Sequence, residues 1–148
     1  MSTLPANPAL KPFDELIGDW EFQSPQWGEG TGRATFRWSE GGAYLCWRSE
    51  VPDPAPDSIW IVGSDESGDR CTALYYDSRT VGRAYWMTFR DRTWTVWRED
   101  PGSWQRFTGA LSDDAATIRG AWEWSRDGTT WEPDFDLVYR RIRERSPA

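Results

Sequence analysis

The chain has 148 residues, a net charge of -7, 12 Trp, 5 Tyr and 6 Phe, and no histidine. This length suits a single domain with one hydrophobic core, and the negative charge argues against nucleic acid and anionic membranes as partners. Without histidine the chain cannot form a His-based catalytic triad or hold zinc or haem through His, so we expect no metal and no cofactor.

The N-terminal segment predicts a flexible arm followed by one short helix. Residues 1–9 lack the apolar core of a signal peptide, and no run approaches the roughly 18 apolar residues of a membrane span, so we expect a cytoplasmic protein. A helix or 3₁₀ turn over 12–16 begins at Pro12, a residue favoured at the first helical position. In a reducing compartment, Cys46 and Cys71 are expected to be free thiols.

From Trp20 onward, short aromatic and β-branched runs are interrupted about every ten residues by Gly, Pro, Asp or Ser. This spacing is typical of an all-β sandwich or barrel, and we find neither a repeat nor a second domain. We therefore predict one β domain over residues 10–143 and a short tail over 144–148. The predicted strands are 18–24, 30–40, 43–51, 58–64, 70–77, 82–90, 93–99, 104–112, 117–126 and 129–142.

The predicted turns fix how neighbouring strands pair, because a slip of one residue would move every side chain to the other face. The expected pairs are Trp38–Leu45 and Phe36–Trp47; Tyr76–Arg83 across a four-residue turn at 78–81; Phe89–Trp94, Met87–Val96 and Tyr85–Arg98; Arg98–Gln105 and Val96–Phe107; Leu111–Ile118 and Phe107–Trp122; and Trp124–Trp131 and Gly120–Phe135. These pairs gather the large apolar side chains on one inner face. Ten antiparallel strands that close into an up-and-down barrel leave no exposed edge.

Four motifs between Leu16 and Arg143 resemble the bacterial lipocalin-like (calycin) β-barrel families. They are Gly18-Asp19-Trp20, Gly28-Glu29-Gly30-Thr31-Gly32, Tyr75-Tyr76-Asp77-Ser78-Arg79 and Phe135-Asp136-Leu137-Val138-Tyr139-Arg140-Arg141. More distantly, the chain is similar to fatty-acid-binding proteins and to nitrobindin, a ferric-haem barrel whose haem-ligating His has no counterpart here.

The resemblance implies a barrel in which the Trp of Gly-x-Trp closes one end and packs against a basic residue of the last strand. We therefore expect structural closure by Gly18, Trp20 and Arg141, with Arg141 stacked on the Trp20 ring as a cation–π pair. The short N-terminal helix is expected to lie at this same end and to plug it.

At the opposite end, the predicted pairing places five polar side chains in one inward row, which we call the mouth row: Tyr76, Arg83, Tyr85, Arg98 and Gln105. The rings of Trp124 and Trp131 are expected to flank it, beneath the loops of Trp27 and Pro54. Arginine among aromatic rings suits a carboxylate or phosphate on a flat hydrophobic molecule. We therefore expect a small hydrophobic or aromatic, anionic ligand; the other interpretation is that the arginines only solvate the rim.

Two alternative functions remain open, and the sequence assigns no catalytic residue. The first is a cofactor-free calycin-type lyase or isomerase with Tyr85 or Tyr76 as proton donor and Arg98 as substrate orienter. Phenolic acid decarboxylases resemble this arrangement but need an inward carboxylate, whereas Asp134 is expected to point outward. The second is a barrel filled by side chains that forms a homodimer through outward rings. These rings are Trp86, Trp97 and Trp104.

Overall fold

The computed structural model describes residues 7–53, 55–68 and 70–143. An N-terminal 3₁₀ helix (Pro8–Leu16) precedes ten antiparallel strands that close into one barrel, as predicted. The strands are β1 (Gly18–Gln23), β2 (Gly32–Trp38), β3 (Leu45–Glu50), β4 (Ser58–Ser64), β5 (Cys71–Asp77), β6 (Gly82–Arg90), β7 (Thr93–Arg98), β8 (Trp104–Leu111), β9 (Thr117–Ser125) and β10 (Glu132–Arg141). Short 3₁₀ turns lie at Pro25–Trp27 and Glu40–Gly42. No helix in the described ranges has the length and apolar character to span a membrane.

Most of the predicted strand pairing is confirmed. Phe36 lies opposite Trp47, Phe89 opposite Trp94, and the pairs joining β7 to β8 and β8 to β9 are also as expected. At the β6–β7 turn, Asp91 and Arg92 both have positive φ (50° and 63°), as a two-residue type I′ hairpin requires. Turn chemistry therefore determined the inner face of these strands.

The predicted pairing of β5 with β6 is wrong by one residue. Tyr75, not Tyr76, lies opposite Arg83, and Tyr76 lies opposite Gly82. The Asp77 amide donates to the Val81 carbonyl at 3.1 Å, so the turn that this pair closes contains three residues, 78–80, rather than four, and Thr80 within it has a φ of 69°. The slip turns Tyr75 toward the barrel interior and leaves Tyr76 on the outer wall.

The predicted pairing of β9 with β10 is also wrong. Gly120 lies opposite Leu137 rather than Phe135, and Trp124 lies opposite Glu132 rather than Trp131. The connection is longer than the two-residue turn that we expected, and a β-bulge separates Pro133 from Phe135. Proline cannot donate to a ladder hydrogen bond, which explains why the pairing shifts at this point.

The helix begins at Pro8, four residues before the predicted start. Asn7 precedes it and accepts a hydrogen bond through its side chain from the Ala9 amide at 2.9 Å, which is a standard N-terminal cap. Leu10, Phe13 and Leu16 are buried at the closed end of the barrel. Residues 7–9 are thus part of the capped helix, whereas 1–6 and the predicted tail at 144–148 lie outside the described residues. Both cysteines are free thiols, as expected.

The closed end is held by the expected contact between Trp20 and Arg141. The guanidinium lies 4.1 Å from the centre of the Trp20 ring, and the two residues pair directly across β1 and β10. The same guanidinium donates hydrogen bonds to three backbone carbonyls, those of Glu15, Ile17 and Ala115, at 2.7, 2.7 and 3.0 Å. Trp20 donates from its ring nitrogen to the Leu16 carbonyl at 2.9 Å. Gly18 has a φ of 132°, and a Cβ there would lie 3.0 Å from Arg141.

We predict that Trp20→Ala lowers the free energy of unfolding by about 3–5 kcal/mol, the usual cost of emptying a buried Trp site. Arg141→Met should also destabilise, because it removes the stacking and leaves three carbonyls without their donor. Arg119→Met, on the exposed outer face of β9, is the matched control and should change stability by less than about 0.5 kcal/mol. Urea unfolding of the three variants measures this, and equal stability of Arg141→Met and Arg119→Met would contradict the closure argument.

Candidate functional site

A cavity of about 300 Å³ opens at the end of the barrel opposite the helix, and we call it the mouth cavity. Its aromatic lining comes from nine strands and one loop and consists of Phe22, Trp27, Trp47, Trp60, Tyr75, Tyr85, Trp94, Phe107, Trp122, Phe135 and Tyr139. Its charged and amide side chains are Arg79, Arg83, Gln105 and Asp134. A concave apolar site with a few polar groups is the usual form of a small-molecule site.

The aromatic rings that line the cavity pack against one another. Trp47 and Trp60 stack with their ring centres 4.2 Å apart and an interplanar angle of 11°. Trp94 meets Trp47 edge to face at 5.1 Å, and Tyr85 contacts Trp60 at 4.9 Å. Such contacts fix the ring orientations, so the cavity is largely preformed.

Trp94 carries the one buried side-chain polar atom in the described residues that has no hydrogen-bond partner, its ring nitrogen. The ring is surrounded edge to face by Phe36, Trp47, Phe107 and Tyr139. Because this nitrogen is not accessible, it cannot donate to a ligand in the cavity. Its unmet hydrogen bond costs about 1–3 kcal/mol, which the surrounding ring contacts offset.

Arg83 and Tyr85 extend from β6 into the mouth cavity, and Gln105 extends from β8. The Tyr85 hydroxyl donates to the Gln105 side-chain oxygen at 2.8 Å. Arg83 is half-buried, and its guanidinium makes no hydrogen bond or ion pair with any described residue. A partly buried guanidinium without an anion attracts an anionic ligand.

Beside Arg83, three side chains of the β5–β6 turn hold one another in place. Arg79 donates to the Asp77 carboxylate at 2.6 and 3.1 Å, and Tyr75 donates to the same carboxylate through its hydroxyl. These bonds, Arg79 first, hold the pKa of Asp77 well below its usual range. Burial and then Asp77 raise the pKa of Tyr75, so its hydroxyl stays protonated. The cation of Arg79 is thus satisfied within the protein, unlike that of Arg83.

Asp134 is exposed at the rim of the mouth cavity, which it helps to line, whereas the sequence interpretation had it on the outer face. It falls within the bulge of β10, which explains the change of face. Its carboxylate has no hydrogen-bond or ion-pair partner among the described residues, and burial raises its pKa. The signal in the sequence was Pro133, since proline inside a strand marks a bulge or an edge.

Two loops form the rim of the cavity. Trp27 ends the Pro25–Trp27 turn and contacts Phe135 at 5.2 Å, so it lies at the mouth as expected. Ala55 and Pro56 line the other side, whereas the predicted loop residue Pro54 lies outside the described residues.

The structure keeps Arg83, Tyr85 and Gln105 of the mouth row together at the cavity and removes the other two members. Tyr76 is on the outer wall and 54% exposed, because of the one-residue slip described above. Arg98 donates to Asp100 at 2.7 Å and lines a groove on the outer wall instead.

The two flanking rings are also placed differently. Trp131 lies on the outer wall, where its ring stacks under Arg106 at 3.9 Å, because the longer β9–β10 turn carries it past the rim. Trp124 contacts Arg126 at 5.7 Å and does not line the cavity. The rings that do line it near Tyr85 are those of Trp60 and Trp122. The sequence around Trp60 is continuously apolar. It therefore lacks the alternation that would show which face of the strand the Trp60 side chain occupies.

Within residues 7–53, 55–68 and 70–143, no group of three or more Cys, Asp or Glu side chains is arranged to hold a metal ion. Comparison of the sequence with protein-family models and with curated proteins gives no match. The function therefore has to be inferred from the cavity itself.

We predict that Asp77→Asn lowers the melting temperature at pH 7, because the variant loses the ion pair with Arg79. A carboxyl whose pKa is lowered by folding stabilises above its unfolded pKa of about 4, and this contribution is lost as the pH falls. The wild-type protein should therefore lose stability more steeply than Asp77→Asn between about pH 5 and pH 2. Thermal unfolding across this range measures the difference. Asp53→Asn, at an exposed loop carboxyl, is the control, and parallel pH profiles for wild type and Asp77→Asn would contradict the prediction.

Proposed function

We propose that the protein binds a small, flat aromatic anion in the mouth cavity. The observation that supports this most directly is the guanidinium of Arg83, which lines an aromatic cavity and has no counter-ion among the described residues. Arg79 lines the same cavity, but Asp77 already neutralises it. An anionic group of a ligand would form an ion pair with Arg83, the one arginine of this cavity that has no acidic partner in the described structure.

The walls favour a planar hydrophobic body for this ligand. The stacked pair Trp47 and Trp60 offers flat ring surfaces, and Trp122 and Phe135 line the cavity as well. The volume of about 300 Å³ lies at the lower end of ligand cavities and suits one or two fused rings. This space also favours binding over the alternative of a barrel filled by its own side chains. On this proposal the protein is a cytoplasmic, lipocalin-like binding protein.

We predict that 2-naphthalenesulfonate quenches the tryptophan fluorescence of the protein. Arg83→Met keeps the apolar stem and removes the charge, so it should weaken sulfonate binding about 30- to 150-fold, equivalent to roughly 2–3 kcal/mol. The neutral 2-naphthalenesulfonamide should bind both forms about equally. Arg119→Met is the matched control and should leave both affinities unchanged.

Isothermal titration calorimetry with both probes supplies the dissociation constants. If neither probe binds at millimolar concentration, the proposed function fails. If Arg83→Met weakens both probes equally, the effect is on the fold of the mouth and not on the recognition of charge.

A second candidate function is cofactor-free lyase or isomerase chemistry, which requires an inward carboxylate. Asp134 supports it in part, because this carboxylate, unpaired among the described residues, lies exposed at the rim of the same cavity as Arg83 and partial burial raises its pKa. The structure also changes which residues of the sequence hypothesis lie near this carboxylate. Tyr85 lines the cavity and Tyr76 does not, and the orienting arginine becomes Arg83 in place of Arg98.

Replacing Asp134 by Asn, which has a similar shape and no charge, tests the effect of the Asp134 charge on ligand binding. When ionised it repels an anionic ligand in the same cavity, so Asp134→Asn should bind 2-naphthalenesulfonate more tightly than wild type at pH 7. The wild-type affinity should rise as the pH falls through the raised pKa of Asp134, while the sulfonate itself stays ionised. Calorimetry at several pH values measures this, and the variant should show a flatter profile. A variant that binds more weakly than wild type would instead indicate that Asp134 accepts a hydrogen bond from the ligand.

A further inference from the structure

Two opposite charges line the mouth cavity without an ion-pair partner among the described residues. Arg83 extends from β6 and Asp134 from β10. The third charged side chain of the described lining, Arg79, is paired with Asp77. Arg83 and Asp134 pair neither with other described residues nor with each other. The cavity therefore presents one unpaired cation and one unpaired anion within the described structure.

The strand order explains why these two charges do not pair with each other. In the closed barrel, three strands separate β6 from β10 along one side and five along the other, so Arg83 and Asp134 lie on nearly opposite sides of the mouth. Along the shorter path the wall carries Gln105 of β8 and Trp122 of β9, which have no charge. Neighbouring strands are about 4.8 Å apart, so several strand spacings lie between the two backbones. The two charges are placed for opposite ends of one ligand.

The position of Asp134 is a consequence of the bulge in β10. Pro133 lies opposite Glu123 and Phe135 lies opposite Trp122, so Asp134 is an extra residue with no opposite residue on β9. In a regular strand Asp134 would point away from the cavity, because the next residue, Phe135, points into it. A bulge changes the direction of a side chain, and here it brings a carboxylate to the rim.

Contacts on the C-terminal side of the bulge keep it in place. The Phe135 ring contacts Trp27 at 5.2 Å inside the mouth. On the outer side, the Gln26 amide nitrogen donates to the Asp136 carboxylate at 3.2 Å, and the Gln26 side-chain oxygen accepts from the Asp136 amide at 3.1 Å. These contacts join β10 to the Pro25–Trp27 turn. The fold thus holds Asp134 at the rim without using its carboxylate.

We propose that the ligand of the mouth cavity is a planar aromatic zwitterion, with its anionic group bound by Arg83 and an ammonium group at its other end bound by Asp134. This inference rests on the proposed function and adds a cationic group to the ligand. A rigid ring system keeps the two charged groups apart, as the opposite positions of Arg83 and Asp134 require. Because Asp134 is exposed, water partly screens its attraction for the ammonium group. Its main effect is to select among anions of the same shape.

The test is isothermal titration calorimetry at pH 7 with two naphthalenesulfonates of nearly equal shape. One is 6-(aminomethyl)-2-naphthalenesulfonate, and the other, 6-ethyl-2-naphthalenesulfonate, has a methyl group in place of the ammonium. Asp134→Asn should bind the aminomethyl compound about 3- to 10-fold more weakly than wild type. It should bind the ethyl compound at least as tightly, because a repelling charge is removed.

Glu132→Gln is the matched control, since Glu132 is an exposed acid on the same strand that does not line the cavity. It should leave the ratio of the two affinities unchanged. Arg83→Met should weaken both compounds, because both carry the sulfonate. Far-UV circular dichroism and the melting curve show whether the variants are folded.

The outcomes separate this proposal from the proposed function. If the ethyl compound binds wild type and Asp134→Asn does not weaken the aminomethyl compound, the zwitterion proposal is overturned and the proposed function stands. Equal weakening of both compounds by Asp134→Asn would also overturn it, because the effect would then be on the shape of the rim and not on charge. If neither compound binds wild type at millimolar concentration, the proposed function itself fails.

Discussion

The barrel depends on the pairing of its first strand with its last, and the contact between Trp20 and Arg141 is where this pairing is secured. Arg141 belongs to the end of the chain and binds carbonyls near its beginning and in the β8–β9 turn. One side chain thus joins β1, β10, the helix and a hairpin. With that end sealed, the opposite end is free of closing elements and is where the mouth cavity opens. The closed end and the mouth cavity are thus the two ends of the same barrel.

The interior shows how a chain rich in aromatic residues can be well packed and still hold a cavity. Rings from neighbouring strands contact one another in a continuous network from Phe36 through Trp47 to Trp60. Their planes are fixed by these contacts, so they cannot all turn to fill the remaining space. At the mouth, Arg83 and Asp134 lack partners in the described structure, whereas Arg141 at the closed end is fully paired. Such a preformed site binds a ligand at a small entropic cost.

The outer wall divides into a charged side and an uncharged side, and each follows from local sequence. Alternation of apolar and polar residues on strands such as β2 and β10 produces a solvated wall, whereas the continuous apolar runs of β4 and β5 leave outward residues without charge. The mouth cavity and this uncharged outer side lie on opposite faces of β4 and β5. Because a side chain reaches only one face, each can be altered without touching the other.

The sequence by itself determined the all-β barrel and the inward faces of β6–β9, because two-residue periodicity and hairpin turns are local properties. The closing pair Trp20 and Arg141 joins the first strand to the last and was expected from the resemblance to lipocalin-like barrels. It could not determine which tyrosine faces the cavity, since the three-residue loop before Val81 depends on backbone conformation at Thr80. It also placed Asp134 and Arg98 wrongly. The bulge of β10 brings Asp134 to the exposed rim of the mouth, and Arg98 pairs with Asp100 and lines the outer groove. A one-residue change of register reverses a side chain's face, and register near irregular turns is decided by contacts between strands distant in the chain.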